Sequence, residues 1–136
     1  MDRLIFGAAV LLALSACASN NEAITDGGSQ VQIRQIQTRE YDTLNRRDTL
    51  RSVLATLQDL GFVIDKASYE LGTITATKLR DHQIRMTVTV RERNSERLAV
   101  RANARFDESP VEEPQAYRDF FAALDKAMFL TLHDVD

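Results

Sequence analysis

QIRMTVTVRERNSERLAVRANARF, residues 83–106, consists of two alternating runs around a polar turn. In the first run Ile84, Met86, Val88 and Val90 fall on one side of an extended chain, and Arg85, Thr87, Thr89 and Arg91 on the other. The second repeats the alternation: Leu98, Val100, Ala102, Ala104 and Phe106 oppose Arg97, Ala99, Arg101, Asn103 and Arg105. Arg93 to Arg97 supply the polar turn that closes a hairpin. One face of this meander is apolar and needs a cover, because apolar surface left in water forfeits the main driving force of folding. The cover has to come from the rest of the chain.

Upstream, Leu50, Val53, Leu54 and Leu57 recur at i, i+3, i+4 and i+7, with Leu60 extending the stripe. This spacing predicts an amphipathic helix with Asp48 as its N-cap and Gly61 as its stop. Phe62 and Ile64 then alternate as a short strand, Asp65 to Leu71 bend, and Gly72 to Lys78 continue extended with Ile74 and Ala76 on one face. Before the helix, Val31, Ile33 and Ile36 lie among Gln, Thr and Tyr and predict a first strand to about Tyr41, its phase slipping at Arg34-Gln35 as at a bulge. Downstream, Pro110 and Pro114 bracket an acidic loop, and Pro114 suits the first turn of a closing helix. Tyr117, Phe120, Phe121, Leu124, Ala127, Met128 and Thr131 form the broad stripe of that helix and are read as core. The expected order is β-α-β-β-β-α, an α+β two-layer sandwich whose antiparallel sheet carries both helices on one face.

The N-terminus follows another logic. Leu4 to Leu14 form an apolar run of 11 residues behind Arg3, too short to span a bilayer and suited to the h-region of a secretory signal peptide. The run ends in Leu14-Ser15-Ala16-Cys17, which resembles the lipobox of bacterial lipoproteins. The resemblance implies cleavage before Cys17, a diacylglyceryl group on its thiol and an acyl chain on the new amine, with Ala18 directing the protein to the outer membrane. Several acyl chains hold a protein firmly where one holds it marginally, since each buried CH₂ contributes roughly 0.8 kcal/mol. Ala18 to Gln30 are polar, carry Gly27-Gly28 and read as a flexible tether reaching about 20 Å. The expected organisation is therefore a signal peptide over 1–16, the lipidated Cys17 and tether over 17–30, and one periplasmic domain over 31–136.

The segment Leu50…Leu57-Gln-Asp-Leu60-Gly61-Phe62-Val63-Ile64-Asp65-Lys66…Leu71-Gly72-Thr-Ile74-Thr-Ala76 resembles the helix-Leu-Gly-Phe-strand pattern of BamC-type lipoprotein domains, of the helix-grip or TATA-binding-protein-like kind. It is also similar in general layout to short periplasmic lipoproteins of Gram-negative bacteria. The resemblance covers about 30 of the 136 residues and implies a fold, not an activity.

Composition narrows the function. One Cys excludes an intramolecular disulfide framework and Cys-rich zinc patterns; His82 and His133, the two histidines, give no general-base or ligand constellation. No glycine-rich phosphate loop, His-Glu-x-x-His or nucleophile-base arrangement is present in the sequence, so no catalytic residue, metal, cofactor or small-molecule substrate is expected. A net charge of −3 argues against a nucleic-acid partner. The average hides a segregation: residues 1–77 carry −2, residues 78–106 carry +5 and residues 107–136 carry −6. The positive block is the hairpin, so Arg85, Arg91, Arg97, Arg101 and Arg105 are the candidate binding residues, suited to carboxylate or phosphate. Asp107, Glu108, Glu112 and Glu113 follow at once, and folding back onto the arginines would neutralise them and weaken the binding idea. The sequence thus points to a non-enzymatic, membrane-anchored accessory or scaffold of an envelope complex, such as barrel assembly, efflux or secretion. The alternative is an anion-binding module for lipid headgroups, cell-wall groups or an acidic protein surface. A plainer reading of the arginines is a solvated face that discourages edge-to-edge pairing.

Overall fold

The computed structural model describes residues 30–80 and 82–133. The expected signal peptide, the lipobox-like stretch ending in Cys17 and nearly all of the expected tether lie outside the described residues. Within them the chain is an α+β domain with α1 (30–36), β1 (Thr38–Tyr41), α2 (Arg46–Asp59), β2 (Val63–Ser68), β3 (Thr73–Leu79), β4 (Gln83–Glu92), β5 (Leu98–Phe106), β6 (Ser109–Pro110) and α3 (Pro114–His133). All strand pairs are antiparallel, in the order β1-β5-β4-β3-β2, with β6 pairing β5 beyond β1.

The meander forms as its alternation dictates: β4 and β5 run in continuous register from Ile84↔Phe106 to Glu92↔Leu98. Its apolar positions meet α2 and α3 in one core of Leu50, Val53, Leu57, Val88, Val90, Leu98, Val100, Phe120, Phe121 and Leu124, each 2 % exposed or less. Phe120 and Phe121 meet edge to face with ring centroids 5.0 Å apart, the arrangement their quadrupoles favour. Across the helix pair the Ser52 and Thr131 hydroxyls lie 2.8 Å apart. Among the described residues no buried side-chain nitrogen or oxygen lacks a hydrogen-bond partner.

Four expectations need correction. Residues 30–36 form a helix and not the start of a strand, so β1 is only four residues long. The spacing of Ile33 and Ile36, which in a strand looks like a slipped phase, is one helical turn. The N-cap of α2 is Asn45, not Asp48: its side chain accepts from the Asp48 N–H at 3.1 Å while its Nδ2 donates to the Asp48 carboxylate at 2.6 Å. That reciprocal pair stabilises the first turn three residues before the expected start. Residues 63–79 make two strands joined by a turn, and a bulge between Ile64 and Lys66 shifts the register and erases the alternation there. Finally, two-residue β6 adds a strand, so with the split of 63–79 five strands and not three lie between α2 and α3; the α+β layering of helices on an antiparallel sheet stands.

Both glycine stops are structural. Gly61 has φ +90°, and its N–H and that of Phe62 close onto the carbonyls of Gln58 and Leu57, the pairing of a Schellman cap. Gly72 has φ +66°, and a Cβ there would lie 2.5 Å from the Val90 carbonyl oxygen, so the β2–β3 turn packs against β4 only without a side chain.

Candidate anion-binding face

The helices take one face of the sheet, and the other faces solvent. Strand alternation puts Thr73, Thr75 and Thr77 of β3, Arg85, Thr87, Thr89 and Arg91 of β4, and Ala99, Arg101, Asn103 and Arg105 of β5 on the open side. The register makes rows across the strands. Arg85 stands directly opposite Arg105, Thr87 opposite Asn103, Thr89 opposite Arg101, and Arg91 opposite Ala99. Thr38 of β1 extends the Arg101 row, and Glu40 extends that of Ala99.

The five candidate arginines separate into two groups. Arg97 lies just before β5, donates from Nε to Asp42 at 2.7 Å and sits 3.7 Å from Glu40; the Asp42 carboxylate holds its guanidinium above the usual arginine range. Arg93 completes this cluster through Glu40 at 3.0 Å. Arg97 is thus neutralised at the end of the face. Arg85, Arg91, Arg101 and Arg105 have no carboxylate within 4.0 Å among the described residues. The acidic segment after β5 does not fold back onto them. The Asp107 side chain turns to the Gln83 N–H and to His82, 3.8 Å away, and Glu108 meets Arg105 only through its backbone carbonyl at 2.7 Å. Asp107 has φ +51°, a tight reversal in which short local contacts replace a longer reach.

Two adjoining depressions occupy the open face. One, of about 390 Å³, is lined by Thr38, Thr87, Thr89, Arg91, Ala99, Arg101 and Asn103. The other, of about 350 Å³, is lined by Arg85, Thr87, Asn103, Ala104, Arg105 and Pro110. They share Thr87 and Asn103. These neutral residues escape a search for charge, yet they occupy the same alternate positions as the arginines, and that is the sequence signal for them. A wider depression of about 730 Å³ lies between α2 and α3, lined by alanines, by the paired Ser52 and Thr131 hydroxyls and by Arg51, Lys126, Asp59 and Asp119 of mixed sign, with no histidine beside the hydroxyls.

The floor of the face is held at the β5 edge. Between β1 and β6, Gln37 and Tyr117 stand in for a strand: the Gln37 carbonyl accepts from the Ala102 N–H at 2.8 Å, and the Tyr117 hydroxyl accepts from the Ala104 N–H at 3.2 Å. That hydroxyl also accepts from Gln37 Nε2 at 3.1 Å and donates to the Val111 carbonyl. Gln37 Nε2 reaches the Asn103 side-chain oxygen as well, at 3.4 Å. β1 is tied to α3 through Asp125, which receives both Arg39 and the Tyr41 hydroxyl. Burial, and then the hydrogen bond and charge of Asp125, push the Tyr41 phenol far above its ordinary range.

The histidines stay apart. His82 packs on Phe106 at one end of the sheet and His133 stacks on Phe129 at the end of α3. Among the described residues no three His, Cys, Asp or Glu side chains are grouped to hold a metal ion, and no helix is long and apolar enough to cross a membrane. No protein family matches the chain, and neither does any curated protein.

Proposed function

We propose that the protein is a non-enzymatic, lipid-anchored accessory of a bacterial envelope assembly, held at the outer membrane facing the periplasm, that docks an anionic partner through its open sheet face. The observation that carries this reading is the set Arg85, Arg91, Arg101 and Arg105, exposed on the open sheet face with no carboxylate within 4.0 Å among the described residues; Asp65, on the Thr77 hydroxyl, and Glu40, opposite Ala99, lie further along their rows. Guanidinium groups on a rigid sheet keep their spacing, which favours specific pairing over loose attraction. The anchor is read from Leu14-Ser15-Ala16-Cys17. Accessory work in barrel assembly, efflux or secretion suits a small domain of this kind better than catalysis does.

Two measurements on the tagged full chain test the reading separately. Envelope partners co-purified in detergent with the wild type should be lost when Arg91, Arg101 and Arg105 are all changed to Ser; an unchanged partner set would remove the docking face. Cys17→Ala should leave the leader uncleaved and abolish acyl labelling of the chain. Normal processing in that variant would remove the lipoprotein reading.

A further inference from the structure

We infer that Arg85 and Arg105, with Thr87 and Asn103, form a binding site for a single phosphoryl group, the head of a phosphate monoester. This rests on the open face being an anion-binding surface and names the chemistry it takes.

Arg85 and Arg105 are cross-strand partners in direct register. Side chains so placed have Cβ atoms about 5 Å apart, and like charges there repel. Folded proteins commonly relieve such a pair with a carboxylate. Four acidic residues lie within eight positions of Arg105, and none of them reaches it with its side chain. The Glu108 carbonyl instead fixes one guanidinium nitrogen of Arg105 at 2.7 Å, which orients the group and leaves its charge uncompensated.

The neighbouring polar groups complete a set of donors. Gln37 Nε2 engages the Asn103 side-chain oxygen, which leaves the Asn103 amide hydrogens to donate elsewhere. The Thr87 hydroxyl, 3.5 Å from that of Thr75, stands in the adjacent row. These side chains line one depression, whose remaining walls are Ala104 and Pro110. No carboxylate lines it. Two permanent positive charges, that of Arg105 held by the Glu108 carbonyl, and two neutral donors call for a ligand that accepts and carries close to two negative charges. A phosphate monoester, with about −1.5 to −2 at neutral pH and three terminal oxygens, meets both requirements. A carboxylate, with one charge and two oxygens, leaves a guanidinium unmatched.

The test titrates the full chain in neutral detergent at low ionic strength with glycerol 3-phosphate, with acetate, and with mixed micelles containing phosphatidic acid, following phosphorus resonances and the melting temperature. Glycerol 3-phosphate should bind and raise the melting temperature, more salt should weaken it, and Arg85→Gln or Arg105→Gln should each reduce affinity about tenfold. Arg118→Gln, on α3, should leave affinity unchanged. Binding of phosphatidic acid micelles alone, lost in the same two variants, also supports the site and assigns its phosphoryl group to a lipid head. Overturning outcomes are no binding in either phosphate arm, equal binding by the Arg85 and Arg105 variants, or acetate binding as tightly as phosphate. Should envelope partners still be captured through Arg91, Arg101 and Arg105 while phosphate fails to bind, the docking face stands and the phosphoryl site falls.

Discussion

The two faces of β4 and β5 share one backbone and one ladder of hydrogen bonds, yet they live under different physics. On the helix side Met86, Val88, Val90, Leu98, Val100 and Ala102 are buried and fixed by their neighbours. On the other side Arg85, Arg91, Arg101 and Arg105 are exposed, and Arg105 meets only the Glu108 carbonyl. Stability is concentrated on the first face, where apolar area leaves water and every methylene has contacts to lose. The second face is nearly indifferent to what it carries, which leaves it open to selection for binding. Residues two apart in the same strand share a fate, and residues one apart do not.

That contrast can be tested by substitution. Phe120→Ala removes a ring that is 1 % exposed and should cost about 3–5 kcal/mol, read as a lower denaturant midpoint at unchanged slope. Tyr117→Phe keeps the ring but strips the hydroxyl that serves Ala104, Gln37 and Val111, so about 1–3 kcal/mol should be lost. The Ala104 amide should also exchange faster with solvent; unchanged exchange would mean that the gap in the β5 edge is not closed by this hydroxyl. Arg85→Gln should give the smallest change and the opposite sign. Relieving the clash with Arg105 should stabilise the domain by less than about 1 kcal/mol, and the gain should vanish in high salt. A loss of stability there would put Arg85 to structural use and blur the distinction between the faces.

Much of this was legible in the residues. The alternation of 84–90 and 98–106, the stripe from Leu50 to Leu57 with Gly61 behind it, and the stripe after Pro114 each carry a clear period, and each forms the expected element. What escaped lacks a period. The described part of α1 is seven residues, whose two isoleucines one turn apart read equally as a bulged strand. Two-residue β6 exists only because β5 offers it an edge. At the site, alternation placed the arginines on one face but could not pair them. That Arg97 is claimed by Asp42 and Glu40, while the nearer acidic segment gives Arg105 a backbone carbonyl and no carboxylate, depends on where β1 docks and how Asp107 turns.

β1 carries one more consequence, in the timing of assembly. From β2 to β5 each strand pairs with the one just made, by short hairpin turns. β1 instead waits for β5, pairing Thr38 with Arg101 and Tyr41 with Leu98 across most of the domain. In a chain delivered N-terminus first, the first described strand therefore waits through β2, β3 and β4 before its partner exists. Until the two meet, β5 presents a bare edge to whatever strand comes near.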